Sequence, residues 1–152
     1  MNPVAQLLSR DDVFLDLEVA NKQQLFETLG TLLAARHQVD HTLVTASLNA
    51  REQLGSTGLG HGVAIPHARI AALPKQIVAF ARTRAPLPFD SADGKPVSNM
   101  MVFLVPEHAT DEHLRLLGTL AKMFCDKTFL NRIKASHDAD EIVQLFGAWR
   151  EA

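Results

Sequence analysis

Gly55-Ser-Thr-Gly-Leu-Gly-His-Gly-Val-Ala-Ile-Pro-His-Ala-Arg69 is the stretch on which the reading of this chain turns. Glycines at 55, 58, 60 and 62 exclude a helix and let the backbone turn sharply or approach a ligand closely. Val63, Ala64 and Ile65 read as a short buried strand. Pro66 removes a backbone donor and fixes φ, so pairing is expected to fail there, with His67 standing at the strand's end. The amides of the loop, over Ser56, Thr57, Gly58, Gly60 and Gly62, are expected to face an anion. Loop, strand and rigidly held imidazole suit a phosphoryl site; a glycine-rich turn before a core strand with an incidental histidine is the other reading.

Working back towards the N-terminus, Asp40 caps an expected helix carrying Leu43, Val44, Leu48 and Leu54 and ending at Gly55. Arg51 lies three residues after Leu48 and seven after Val44, so it shares their buried stripe. A guanidinium there either meets an anion or covers apolar surface with its stem while its head reaches water. Before it, Asn21 and Gln24 form a capping-box-like pair for a helix reaching about Arg36. Val13, Leu15 and Leu17 alternate with Phe14, Asp16 and Glu18 as an edge strand would.

Towards the C-terminus, Ile77 to Arg84 reads as a strand ended by Pro86 and Pro88. Val97 to Val105 is a continuous apolar run closed by Pro106, the pattern of a central strand covered on both faces. Thr110, Asp111 and Glu112 open a helix whose stripe is Leu114, Leu117, Leu120, Ala121 and Phe124. His113 points inward from its first turn, where free amides favour a phosphate and the positive helix end disfavours an imidazolium; a histidine satisfied by the cap is the alternative. Two short helices follow, around Phe129–Ile133 and Asp138–Trp149.

Composition narrows the function. The 152 residues are 47% apolar, enough for one domain, residues 1–152, with a real core. A net charge of −2 makes no case for nucleic acid or a membrane surface. The single cysteine, Cys125, sits in an apolar run and reads as a small core residue. Asn2 to Arg10 has no apolar run of signal length, and no stretch approaches the ~20 apolar residues of a membrane span. The expected location is therefore cytoplasmic, without membrane insertion.

Three groups remain beside ordered backbone: Arg51, His67 and His113. A metal site is disfavoured, because the histidines and acids lack ligand spacing; His61 and His67, six apart across a strand, would lie ~20 Å from each other. Ser56 is not in a Gly-x-Ser-x-Gly elbow. Gly58-Leu-Gly60-His-Gly62 precedes a strand where a dinucleotide fingerprint follows one, and no Walker lysine is present. What is left is histidine as a phosphoryl acceptor, helped by Arg51 and the loop amides.

Arg51-Glu-Gln-Leu-Gly-Ser-Thr-Gly-Leu-Gly-His-Gly-Val-Ala-Ile-Pro-His67 resembles the signature of the type-2 IIA (EIIA) domains of the phosphotransferase system, the mannitol/fructose/nitrogen class. Asp111-Glu-His113-Leu-Arg-Leu-Leu117 resembles the segment that carries the family's second active-site histidine. Ala85-Pro-Leu-Pro-Phe-Asp90, Asp93-Gly-Lys-Pro-Val97 and Phe103-Leu-Val-Pro106 look most like the nitrogen-regulatory branch. The resemblance implies an α/β (α+β) fold: a mixed five-stranded sheet with helices on both faces. It implies phosphorylation of His67 at Nε2, with His113 bonding the phosphoryl group and Arg51 countering its charge. The donor would be a nitrogen-type carrier protein resembling HPr, with no cofactor or metal at this step. Partners regulated by phosphorylation state would be potassium transporters or sensor kinases. The alternative is a fructose- or mannitol-type component passing phosphate to a IIB domain during sugar uptake. His61 stands where that loop is expected to hold asparagine, and reads as a loop histidine tuning anion binding at low pH.

Overall fold

The computed structural model describes residues 2–108 and 110–151. Its axis is β6 (Val97–Pro106), buried without a break from Asn99 to Val105. Met100, Val102 and Leu104 face one hydrophobic core, and Met101, Phe103 and Val105 face a second. Strand alternation with apolar residues on both sides is what makes the run continuous in sequence.

β5 (Ile77–Leu87) pairs antiparallel with β6, and β1 (Val13–Leu17) lies parallel on the outer side of β5. Across β6, β3 (Val63–Ala64) and β4 (His67–Ile70) pair parallel to it in succession, Val63 opposite Asn99 and His67 opposite Phe103. β2 (Gly58–Gly60) is antiparallel to β3. The mixed sheet covered on both faces agrees with the expected class, with six strands where the sequence reading expects five. The count is six because the parallel strand beside β6 is interrupted into β3 and β4; the glycine-rich stretch forms β2 on its outer side.

On one face, α2 (Lys22–His37) and α3 (His41–Gln53) bury Leu25, Phe26, Leu29, Leu33, Val44 and Leu48. The other face carries α1 (Pro3–Leu7), α4 (Asp111–Cys125), α5 (Lys127–Ala135) and α6 (Ala139–Ala148). Caps start the helices where side chains allow. Asp40 accepts from the amides of Thr42 and Leu43, and Asn21 from that of Gln24. Gln24 reaches back to the amide of Ala20, one residue beyond a regular capping box. α1, which no hydrophobic period announces, is capped by Asn2, whose amide also donates to Phe146 and Trp149 carbonyls.

Several expectations need correction. β5 continues through Pro86 to Leu87, because its register against β6 shifts between Arg82 and Leu87 and the proline falls inside that irregular segment. Cys125 is exposed at the C-terminal end of α4, not in the core. The buried stripe of α4 is Leu116, Leu120, Met123 and Phe124, rotated from the expected one, and this leaves Leu114 62% exposed. His113, Leu114 and Leu117 consequently turn towards a cavity.

Phe146 is fully buried, with the rings of Phe129, Phe80 and Phe124 at 5.1, 5.8 and 6.2 Å. Phe146→Ala should destabilise the fold by about 3–5 kcal/mol in urea titration, through lost transfer energy and the cavity left behind. A loss below about 1 kcal/mol would mean that this aromatic cluster does not hold the second core.

Candidate functional site

β3 and β4 keep a common register against β6, so they are one strand interrupted at Ile65–Pro66. Pairing fails at Pro66 as expected but resumes at His67, which opens β4 instead of ending a strand. Within the break, the amide of Ile65 donates to Thr57, and the carbonyl of Pro66 accepts from Phe103. The carbonyl of Ile65 lies 2.8 Å from Nδ1 of His67. A carbonyl can only accept, so Nδ1 carries the ring proton and Nε2 presents a lone pair. Partial burial of the ring is the main cause holding the His67 pKa below the usual imidazole value. The Ile65 hydrogen bond opposes that shift, the Arg51 cation adds to it, and Glu52 opposes it.

Arg51 comes from the last turn of α3, on the side of Val44 and Leu48, with its head half-buried. Its Nε donates to Nε2 of His67 at 3.3 Å and its Nη1 to the carbonyl of Gly55 at 2.9 Å. The next residue, Glu52, was not singled out by sequence. In a polar run it looks like a solvated helix residue, yet its side chain is only 6% exposed. It accepts from the amide and hydroxyl of Thr57 at 3.0 and 2.6 Å and pairs with Lys22 at 2.9 Å. That clasp holds the glycine-rich segment to the end of α3. The available signal was an acid at a helix end facing a Ser-Thr pair a few residues on.

His113 occupies the third position of α4, where a capping box takes Glu or Gln. Its Nδ1 accepts from the amide of Thr110 at 2.9 Å, which puts its ring proton on Nε2. The two imidazoles thus hold opposite tautomers: His67 offers a nucleophilic nitrogen and His113 an N–H donor.

Arg51, His67 and His113 line one cavity of about 520 Å³ between the end of α3, β4 and the start of α4. Phe103, Leu54, Leu114 and Leu117 supply apolar wall, and Leu54 is 85% exposed at its edge. Ser56, Thr57, Gly58, Gly60 and Gly62 do not line it. The Thr57 amide is taken by Glu52 and the Gly58 amide by Ser56, whose own hydroxyl donates to Phe89. Gly58 is required by space, since a Cβ there would meet Ser91 Oγ at 2.1 Å. His61 also lies off the cavity, exposed at φ 57°, its amide bonded to Asp93 and its carbonyl to Lys134. Among the described residues no three histidine, cysteine or acidic side chains come together as a metal site, and no helix is long and apolar enough to cross a membrane.

Residues 6–148 match the family described as phosphoenolpyruvate-dependent sugar phosphotransferase system, EIIA 2. The chain belongs to this family. This IIA protein is 36% identical to the nitrogen regulatory protein of Pseudomonas aeruginosa over 141 residues, 92% of each chain. It is 34% identical to that of Bradyrhizobium diazoefficiens over 140 residues, again 92% of each. The crystal structure of nitrogen regulatory protein IIA-Ntr from Neisseria meningitidis superposes with a TM-score of 0.89 at 44% identity, covering 95% of this chain and 99% of that one.

With its pKa lowered, His67 of the IIA protein should titrate below ~6.5 in NMR, and Arg51→Gln should move the midpoint upward. Between the native and unfolded midpoints the unfolded chain binds more protons. His67 therefore makes stability rise with pH through that window, and below it the native state bears the penalty. A native midpoint above ~6.5 would contradict the burial argument.

Proposed function

We propose that this IIA protein takes a phosphoryl group onto Nε2 of His67 from the phosphohistidine of a small nitrogen-type HPr-like carrier and regulates partner proteins by its phosphorylation state. The observation that carries this reading is the tautomer: Nδ1 is tied to Ile65, leaving a bare Nε2 with the Arg51 guanidinium 3.3 Å away.

The Nε2 lone pair attacks phosphorus as the donor's P–N bond breaks, and the donor imidazole leaves with that electron pair. The accepting ring then carries a proton on Nδ1 and phosphorus on Nε2, and the Ile65 carbonyl faces the positive charge that develops. Arg51 Nε–H, losing its nitrogen acceptor, turns to the phosphoryl oxygens, and the Nε2–H of His113 donates to another. Ser56, Thr57, Gly58, Gly60 and Gly62 serve the phosphate as a frame, keeping Arg51 and His67 in register through the Glu52 clasp. No nucleotide or metal is called for, because the donor's P–N bond already stores the transfer energy.

The apolar rim favours a protein donor. Leu54 and Leu114 stand exposed beside the nucleophile, a surface that a small charged donor would not use and a protein face would cover. Likeness to nitrogen regulatory proteins over nearly the whole chain supports a regulatory role. The proposed setting is the cytoplasm and the proposed targets are potassium transporters or sensor kinases.

Intact-mass spectrometry after incubation with phosphoenolpyruvate, the upstream enzyme and the nitrogen-type carrier tests this. Wild type should gain one acid-labile phosphate and His67→Ala none; full labelling of that variant would sink the assignment. His113→Ala should still label, about 100- to 1,000-fold more slowly, as expected for loss of one oxyanion donor. Arg51→Lys should also be slow, because an ammonium does not reproduce a planar fork on phosphate oxygens. Onward transfer to a IIB domain would instead place the protein in sugar uptake.

A further inference from the structure

Arg69 is a cation of the same cavity without an assigned task. It follows His67 by two residues on β4, so the alternation of the strand puts both on one face while Ala68 and Ile70 go to the core. The pairing partners of the two, Phe103 and Val105, line the cavity with them. Among the described residues Arg69 is exposed and takes part in no ion pair or side-chain hydrogen bond, whereas Arg51 is committed at both Nε and Nη1.

Charge balance gives it a role. A phosphoryl group brings a charge of about −1.5 to −2, and Arg51 returns only +1. The ring answers part of it with the positive charge shared towards Nδ1, but that charge faces the Ile65 carbonyl. The phosphoryl oxygens themselves therefore meet one committed cation, Arg51, beside apolar walls where poorly compensated charge is costly. The charged or titratable groups lining the cavity at that point are Arg51 from α3, His113 from α4 and Arg69 from β4; β6 presents only Phe103 and Val105. Glu52 of α3 also acts on His67 by its charge but is tied to Lys22 and Thr57. Two residues of strand span roughly 6.5 Å, within the reach of an extended arginine side chain.

We propose that Arg69 is the second cation of the phosphorylated state, swinging from the cavity mouth to pair with the oxygens of the phosphoryl group on His67. The assignment rests on His67 being the phosphorylated residue. Arg51 then serves the attack and Arg69 the product, so removing Arg69 changes the phosphohistidine more than the free imidazole.

The test labels the protein with phosphoramidate, a small donor that bypasses any carrier, and follows by ³¹P NMR the resonance that is missing in His67→Ala. Arg69→Gln should raise the midpoint of the second phosphoryl ionisation by about 0.5–1 unit, since an opposite charge nearby favours the dianion. Arg69→Lys should restore part of the shift, and high salt should shrink the difference. The His67 titration of unmodified Arg69→Gln should match wild type. Equal phosphoryl midpoints in wild type and Arg69→Gln, no rescue by lysine, or a moved midpoint in the unmodified ring would each overturn the proposal. A parallel incubation with the carrier separates the two readings: wild type that labels with phosphoramidate at His67 but not from the carrier defeats the carrier function and leaves the Arg69 result standing.

Discussion

Everything at this site depends on one hydrogen bond, from Nδ1 of His67 to the carbonyl of Ile65. It exists because a parallel strand is broken for two residues. Pro66 has no N–H to give, Ile65 turns its amide to Thr57, and the side chain of His67 takes the Ile65 carbonyl. Because β3 and β4 hold the same register on either side, the interruption leaves the ring on a rigid strand. Orientation, tautomer and exposed nitrogen are thus all consequences of where the ladder fails. A histidine on a free loop would need a side-chain partner to reach the same state.

The other two groups are brought to that nitrogen by helix ends. α3 delivers Arg51 from its last turn and α4 delivers His113 from its first. Each is locked by backbone near its own helix terminus, Arg51 by the Gly55 carbonyl and His113 by the Thr110 amide. The capping interactions that stabilise the two helices therefore also set the donor directions in the cavity. Glu52 adds the cross-tie, holding Thr57 and Lys22 so that the end of α3 and the glycine-rich segment cannot drift apart.

Much of this was legible in the sequence because it rests on local rules. The central strand announced itself by an unbroken apolar run, the helix starts by Asn21, Asp40 and Thr110, and the three cavity groups by their places beside glycine, proline or a cap. What could not be read depended on tertiary choices. Gly58–Gly60 pairs as a strand because β3 lies beside it, while the Thr57 amide goes to Glu52 and the Gly58 amide to the Ser56 hydroxyl. The face of α4 was misplaced because Leu114 and Leu116 satisfy the helical period about equally well. Only packing on β6 decides that Leu116 goes inward and Leu114 outward. Cys125 reads as core by its neighbours but falls just past the last buried turn.

If His67 relays a phosphoryl group as proposed, the site has a constraint that an ordinary enzyme site lacks, because a phosphoryl group that is bound too well cannot be passed on or lost. Three features of this cavity bear on that balance. Burial lowers the His67 pKa, which favours the neutral ring whose Nε2 lone pair would attack in the proposed transfer. Arg51 is bonded to the empty nitrogen, so its move to the phosphoryl oxygens in the proposed transfer exchanges one hydrogen bond for another, and only the difference between them stabilises the product. The mouth is apolar, so a docked protein face excludes water while the group moves, and an open cavity admits it afterwards. On the proposed reading, the lifetime of the phosphorylated state would depend on the cations that meet the product, Arg51 after its move and Arg69. Control of that lifetime then lies, in the proposed scheme, with the charge around β4 more than with the nucleophile itself.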